Sequence, residues 1–546
     1  MKKKLKWIFG FVFIGVLVSG FIAQSDLYLE ISKNMDLLGR VYKEITFNYV
    51  DEVDPEKFLR AGIEGMLSSL DPYTIFVDEK KIDDIDLITN GKYGGIGISI
   101  GIRGSDVTVV EVMDGYAAQR QRIKIGDVII EAGGTGISTD NIGEISSLVK
   151  GEPGTTVELK VVRNEMTDTL TFNLVREEVI VKNITYSGFY PENSNNIYLK
   201  LSNFSRAASD EIRKTVKELQ AQKPVKSIVL DLRGNPGGLL DIAVDICDKF
   251  LARDQLVVST RGRDIASEKK YFSNEEPIVN SDVKIIILIN GGSASASEIV
   301  AGALQDHDRA VVLGSKSFGK GLVQTITPLS YNTSLKITTA KYYTPSGRCI
   351  QRIDYTEGSQ IIKDPNPDSE ETFLTDNKRE VYSKGGITPD TTVEFNINGE
   401  LTKDLLEQGY FFKFASNYTY NNPNQEYYTL QDNELFSALK KYLNDDNYNY
   451  KSKAEVEIDN LIKGASEQDD IKNELLKIKD QLTGLFEKEL EIYKYEILRE
   501  TKSELAARYL GVEGRIQENL NQDDQIQAAL DVISDNVVYN KLLNVH

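Results

Sequence analysis

Three serines at alternating positions, Ser293, Ser295 and Ser297, follow an apolar run that ends in Gly291 and Gly292. Each hydroxyl is a weak nucleophile until a base takes its proton. Amines able to do so lie beyond the next apolar stretch, at Lys316 and at Lys320, the latter flanked by Gly319 and Gly321. A hydroxyl at the start of a helix also meets unpaired backbone N–H groups, which can hold the negative oxygen of an acyl-transfer intermediate. Plainer uses exist for the same residues. A serine at such a break caps a helix, and a lysine among glycines is a solvated loop charge. At this level the three hydroxyls are equivalent, and so are the two amines. Gly314 to Lys320 also has the glycine spacing of a phosphate loop, but Gly321 stands where that chemistry needs a hydroxyl for the metal.

These residues have to be positioned by the elements around them. Ile285 to Ile289 has the length and branching of a buried strand, Ser295 to Gln305 reads as a helix rich in small residues, and Ala310 to Leu313 reads as a second strand. Upstream, NIYLKLSNFS is a strand and SRAASDEIRKTVKELQAQ an amphipathic helix, with Ser205 or Asp210 as its expected cap. KSIVLDLRGNPGG is then a strand running into a glycine loop, and LLDIAVDICDKFL another helix. Strand, loop and helix in alternation predict an α/β core with crossover connections. LKITTAKYYTPSGRCIQRIDY adds a strand and a turn, and GGITPDTTVEF closes the core near residue 395.

On either side the periodicity changes. Residues 28–70 show apolar positions at helical spacing, broken at DEVDP, with Pro55 suited to the first turn of a second helix. A scaffold helix pair is the expectation there. Residues 92–163 turn to short glycine-punctuated strands around one helix, TDNIGEISSLVKG. After residue 398 the chain is tyrosine- and asparagine-rich, then carries long helical patterns that approach heptads without sustaining them. Packing on the rest of the protein is the leading reading for this region, ahead of self-association or the binding of an accessory adaptor.

Composition narrows the classes of function. A net charge of −19 over 546 residues provides no excess of positive charge to displace counterions, so nucleic acid is not expected as a partner. With two histidines, His307 and His546, neither a histidine-rich zinc site nor a Ser–His–Asp triad has much material. Cys247 lies in an apolar run and Cys349 between charged neighbours, and no structural disulfide is expected. Lys2, Lys3, Lys4 and Lys6 precede an apolar stretch from Trp7 to Ala23, which reads as an export signal, either cleaved or kept as an anchor in the cytoplasmic membrane. The working region is then expected outside the cytoplasm, in the periplasm.

Four motifs in order, VLDLRGNPGGL, GGSASASEIVAGALQD, GSKSFGKGLVQ and KYYTPSGRCIQ, give a resemblance that covers most of residues 35–395. The chain resembles the carboxyl-terminal processing proteases, the tail-specific serine peptidases of family S41 that use a serine–lysine dyad. The resemblance implies a multidomain α/β protein. Residues 1–24 would be the signal or anchor, 25–86 a helical N-terminal domain, 87–166 a PDZ domain of the circularly permuted bacterial type, 167–397 a spiral crotonase/ClpP-like peptidase core, and 398–546 a mainly helical extension. It places the nucleophile on the middle serine, Ser295, the general base on Lys320 and an orienting amide on Gln324. The oxyanion donors would be the N–H groups of Ala296 and of Gly237, with Gly238 next; Pro236, which stands where many relatives have glycine, has no N–H to give.

A lysine works as a base only when neutral. Its ordinary pKa of about 10.4 must therefore fall by roughly three units, on the order of 4 kcal/mol, through desolvation. The flanking glycines would let Lys320 sit deep, with Phe318 as an apolar neighbour. In the PDZ segment, Gly94, Gly95, Ile96, Gly97 and Ile98 are expected to receive a peptide's carboxyl terminus, beside a side-chain pocket formed with the helix at Ile142 to Val149. The implied function is endoproteolysis of unfolded or tailed polypeptides with a free carboxyl terminus, through an acyl-enzyme and without metal or cofactor. An adaptor with an inactive peptidase-like core and a crotonase-type acyl-group enzyme are the competing classes.

Overall fold

The computed structural model describes residues 27–545, apart from 79–86, 88, 164–168, 265–267, 354, 356–370, 384, 395–398, 465–469 and 483–484. The expected signal or anchor at 1–24 lies outside the described residues. Among those described, no helix is long and apolar enough to cross a membrane. The chain divides into two units, residues 1–76 with 355–361, and residues 77–354 with 362–546.

The first unit contains the expected helix pair, residues 27–48 and Pro55–Leu67. Asp54 caps the second helix by accepting from the N–H groups of Glu56 and Lys57, and Pro55 sits in its first turn, where a missing N–H costs nothing. Tyr42 joins the two helices, stacking on Phe58 with centroids 5.6 Å apart and donating to Pro55 O at 2.8 Å.

In the second unit the α/β segment is built on a six-stranded sheet. Its order is Ile184–Phe189, Asn196–Leu201, Ser227–Asp231, Lys284–Ile289, Val311–Gly314 and Thr391–Thr392; the first pair is antiparallel and the rest are parallel. Register explains why Ile285 to Ile289 is apolar throughout. Ile285, Ile287 and Ile289 pack with Ile228, Leu230 and Val312 against the crossover helices Ala208–Gln222, Leu240–Cys247 and Ala296–Asp306. Ile286 and Leu288 face the other way with Val229, Val311 and Leu313, and that side is buried too. A parallel sheet covered on both faces needs apolar residues at consecutive positions. The helix Ala208–Gln222 begins without a side-chain cap, its N-cap being Ala207 rather than Ser205 or Asp210.

The second cover comes from the region after residue 398. Helix Asp524–Ser534, here the clasp helix, lays Ile526, Ala529, Val532 and Ile533 on the sheet, followed by Tyr539 and Leu543. Tyr539 Oη accepts from the N–H of Ile285 at 3.0 Å. The rest of the extension forms its own core around Leu401, Phe411, Phe414, Leu439, Ile497 and Leu505. It also meets the glycine-punctuated domain: the guanidinium groups of Arg103 and Arg508 lie 5.2 Å and 4.3 Å from the Phe412 ring centroid. Within the near-heptad pattern, helix Lys494–Tyr509 packs into the extension's core through Ile497, Leu498 and Leu505, whereas Leu461, Ile471, Leu476 and Ile478 on the preceding helices are exposed.

That glycine-punctuated domain is an antiparallel sheet in the order Ile98–Arg103, Asp106–Val112, Val128–Ala132, Thr156–Val162, Thr169–Val175, closed over its core by helix Ile142–Val149. Its two chain ends are zipped together where Lys92–Gly95 pairs antiparallel with Glu177–Ile180.

Candidate active site

Strand Lys284–Ile289 is followed by a turn, Asn290 to Ser295, that leads the chain into the serine helix, Ala296–Asp306. Ser295 is the N-cap, with φ 54° and ψ −113°. Backbone of that kind is rare outside glycine and costs about 1–3 kcal/mol, so surrounding contacts must hold it. The three serines differ here. Ser293 and Ser297 are fully buried and donate to carbonyls, Leu232 O at 2.8 Å and Asn235 O at 2.9 Å. Ser295 is partly exposed, and its carbonyl accepts from the buried Tyr342 hydroxyl at 3.2 Å.

One side chain holds the serine turn and the lysine loop together. Glu298 is completely buried. Its Oε2 accepts from the N–H of Ser295 at 2.8 Å and from the N–H of Lys320 at 2.9 Å. Its Oε1 accepts from Ser317 Oγ at 2.5 Å and the N–H of Gly319 at 2.7 Å. Burial pushes the Glu298 carboxyl above its ordinary range, and the four hydrogen bonds work against that shift. All four partners donate, an arrangement filled only by an ionised carboxylate. Glu298 has no role in the sequence-based assignment, although Ser295-Ala-Ser-Glu298 is a capping-box spacing.

Gly319 has φ +88°, and a Cβ there would lie 2.6 Å from Arg352 Cβ; one on Gly321 would lie 2.9 Å from the backbone N of Gln351. The loop is further tied by Phe318 N–H to Ser293 O at 3.0 Å. Lys320 is partly buried and Lys316 exposed. The Phe318 side chain, near Lys320 in sequence, is 40 % exposed. Gln324 lies on strand Leu322–Pro328 and donates through Nε2 to Thr338 Oγ1 at 3.2 Å. Its amide oxygen is the end able to receive an N–H from an amine.

The glycine loop, residues 234–238, runs alongside the turn. Asn290 Oδ1 accepts from the N–H groups of Gly234 at 2.9 Å and Gly292 at 3.0 Å, while Asn235 O accepts from Ala294 N–H at 3.0 Å. A Cβ on Gly237, whose φ is +96°, would lie 2.6 Å from Ala294 O and 2.7 Å from the N of Ala296. Only glycine permits that approach. Gly237 and Ala296 are thus brought together, but the Gly237 N–H donates to Asn235 Oδ1 at 2.9 Å. That bond must open before Gly237 can serve an oxyanion.

The loop's root is charged. Asp231 is fully buried, accepting from Tyr198 Oη at 2.6 Å and pairing with Arg233 at 2.7 Å and Lys200 at 3.2 Å. Burial alone would raise its pKa; Arg233 and Lys200 outweigh that and hold the carboxyl well below the usual range. At the far end of the serine helix, Asp306 pairs with the fully buried Arg348 at 2.8 Å, which ties down the PSGR turn.

A separate cleft of about 160 Å³ lies between the Ile98–Arg103 strand and helix Ile142–Val149, lined by Tyr93, Ile96, Ile98, Ile100, Ile145 and Val149 among others. Of the residues expected to receive a peptide, Ile96 and Ile98 are on the wall of this cleft. Gly94 and Gly95 are not: they belong to the paired strand Lys92–Gly95, where a Cβ on Gly94 would lie 2.0 Å from Gly151 O. Gly97 turns the chain at φ +79° against Tyr116. The Tyr93 hydroxyl is pushed up to about 12, by burial and then by Glu111 and Tyr116.

Comparison with known proteins agrees with this layout. Residues 196–359 match Peptidase family S41, and residues 94–174 match the PDZ domain. Residues 401–533 match a family described as "Probable PDZ-protease, C-terminal helical domain", a relationship for which no motif is recognised in the sequence. Residues 21–81 match "Activating protease CtpB N-terminal domain". The chain is 38% identical over 339 residues to the carboxy-terminal-processing protease of Bartonella bacilliformis, covering 62% of this chain and 76% of that protein. It is 31% identical over 345 residues to the carboxy-terminal processing protease CtpB of Bacillus subtilis, covering 63% and 70%. Among solved structures, the photosystem II D1 C-terminal processing protease aligns with a TM-score of 0.38 and 24% identity, over 64% of this chain and 85% of that one.

Proposed function

The chain belongs to the carboxy-terminal processing serine proteases of peptidase family S41, and from that membership we propose that it cleaves polypeptides through Ser295 and Lys320. The observation that carries the assignment is the contrast among the hydroxyls. Ser295 is partly exposed on a left-handed turn, whereas Ser293 and Ser297 are buried and spent on carbonyls. Neutral Lys320 takes the proton from Ser295 Oγ as that oxygen attacks the scissile carbonyl carbon. The resulting oxyanion is held by the Ala296 N–H and by a donor from the glycine loop. Collapse expels the amine, which takes the proton back from the Lys320 ammonium and leaves an ester on Ser295. Water attacks the ester, Lys320 accepts its proton, and the serine hydroxyl re-forms as the new carboxyl terminus departs. Gln324 orients the amine without adding a carboxylate that would favour its protonation.

Substrates are proposed to be unfolded or tailed polypeptides whose free, apolar carboxyl terminus enters the cleft beside Ile96, Ile98 and Ile100. The cationic, apolar segment at 1–24 favours work outside the cytoplasm, in the periplasm, whether that segment is cleaved or kept as an anchor. Incubation of wild type and S295A with a tailed, unfolded polypeptide tests the reading. Fragments should form with the wild type and be lost in S295A. Equal cleavage by both would leave Ser295 without a role, and no cleavage by either would favour a PDZ adaptor.

A further inference from the structure

Arg233 stands one residue before the glycine loop, and its side chain is shared between Asp231, two residues back, and a segment far along the chain. Nε and Nη2 donate to Asp231, the Nη2 contact at 2.7 Å. Nη1 donates to Gln525 Oε1 at 2.8 Å and pairs with Asp523 Oδ2 at 2.7 Å. Asp523 is the N-cap of the clasp helix: its Oδ1 accepts from the N–H groups of Gln525 and Ile526. One carboxylate thus caps the helix with one oxygen and grips Arg233 with the other. Gln525, itself buried, passes its amide N–H to Val393 O. The Arg233 carbonyl is fixed as well, by Lys200 Nζ at 2.7 Å.

The grip matters because Arg233 leads directly into the glycine loop. Gly234 is pinned to Asn290, Asn235 to the serine turn, and Gly237 lies against Ala296. On the other side of Arg233 and Gly234 is a cavity of about 720 Å³, lined also by Asn290, Gly291, Asp523 and Gln525. A loop root bordering a space of that size has room to relax when its tether is cut. A displacement of about 1 Å in a catalytic group costs on the order of a hundredfold in rate.

We propose that Asp523 and Gln525 are positioning residues for proteolysis: acting through Arg233, they hold the glycine loop where its N–H groups can meet the oxyanion formed at Ser295. The helical C-terminal region is then a working part of the catalytic centre as well as a cover for the sheet. This rests on the Ser295 reading above.

The full chain is compared as wild type, D523S, D523S/Q525A and the exposed-neighbour control D524S. Serine caps a helix about as well as aspartate, so D523S keeps the cap while losing the oxygen that reaches Arg233. The expected result is a fall in kcat of about tenfold for D523S, more for the double variant, with KM within twofold and the loss of kcat the same at every assay temperature well below the melting transition. A peptidyl aldehyde, whose adduct with Ser295 carries an oxyanion, should lose affinity by the same factor as kcat. D524S should match the wild type in every respect. Unchanged kcat and aldehyde affinity in D523S would overturn the proposal, and so would a loss of kcat that follows the melting temperature with aldehyde affinity intact. Wild type no more active than S295A would sink the serine assignment itself, a failure visible before any clasp variant is read.

Discussion

Ser295 and Lys320 hang on the same oxygen: Glu298 Oε2 accepts the backbone N–H of one at 2.8 Å and of the other at 2.9 Å. The separation of the two residues is thereby set through their main chains, before either side chain chooses a rotamer. A substitution at Glu298 should therefore disturb the pair without touching it. In E298Q the amide offers one acceptor atom where the carboxylate offers two, and some of the four donors lose their partner. We expect kcat to fall about a hundredfold, with slower labelling of Ser295 by a serine-reactive probe. Peptide binding at the distant PDZ cleft should be unaffected.

The serines should separate in a second set of measurements. S295A removes the nucleophile and should abolish acyl-enzyme formation with little change in melting temperature. S293A and S297A each remove a buried donor to a carbonyl that keeps a second backbone partner, and S293A also takes the acceptor from the N–H of Asn290; each should cost about 1 kcal/mol while retaining acyl transfer. K320A and K320R should both be inactive, since arginine stays charged and cannot accept a proton; K316A should keep its activity. Q324A should retain partial activity. Mass mapping of a trapped acyl group onto Ser293 or Ser297 would refute the assignment.

Two buried carboxyls should affect the acid limb with opposite sign. Asp231 is held below the ordinary carboxyl range, so the folded state binds its proton less tightly than the unfolded chain. Its contribution to stability is complete above a pH of about 3.9 and drains away as pH falls further. Glu298 is shifted upward, so its ionisation costs the folded state stability as pH rises past about 4.3, although the donors around it need the ionised form. Activity should accordingly begin to fail, on acidification, above the pH at which an ordinary glutamate protonates. Thermal melts of wild type and D231N from pH 7 to pH 2 check the first point. The gap between them should be about 3–5 kcal/mol at neutrality and close in acid.

The peptide cleft is tested with S295A protein, so that nothing is cleaved. An apolar-tailed peptide should bind better than its carboxyl-amidated twin. I100D places a charge on the partly buried wall of the cleft and should weaken binding by about tenfold or more, without reducing hydrolysis of a short substrate that cannot reach the cleft. Equal affinity for peptide and amide would remove the carboxylate-reading role.

Local pattern was enough for some of this architecture. The apolar run at Ile285 to Ile289, the small-residue helix after Ser295 and the helix at Ile142 to Val149 are all where periodicity places them. The choice among Ser293, Ser295 and Ser297 was beyond it, because burial and hydrogen-bond direction separate them and neither is a property of spacing. Glu298 was within reach through the Ser-x-x-Glu signature. Gly94 and Gly95 misled because a glycine that admits a peptide and one that admits a neighbouring strand look alike in sequence. The grip of Asp523 on Arg233 had no local sign, since it joins segments hundreds of residues apart. The double-sided burial of Ile285 to Ile289 does leave a trace, in that an uninterrupted apolar run calls for a second cover.

That second cover is made late. On a ribosome, Val229, Ile286 and Leu288 emerge long before Ile526, Ala529 and Val532, and Arg233 precedes Gln525 by 292 residues. Until the clasp helix arrives, the growing chain carries an uncovered apolar sheet face, the kind of surface that chaperones hold and that aggregates when they do not. The glycine loop lacks its tether over the same interval. A chain still being made, or one shortened before the clasp, would thus hold Ser295 and Lys320, the proposed dyad, without the means to use them, and so would be a poor threat to its own neighbours during synthesis.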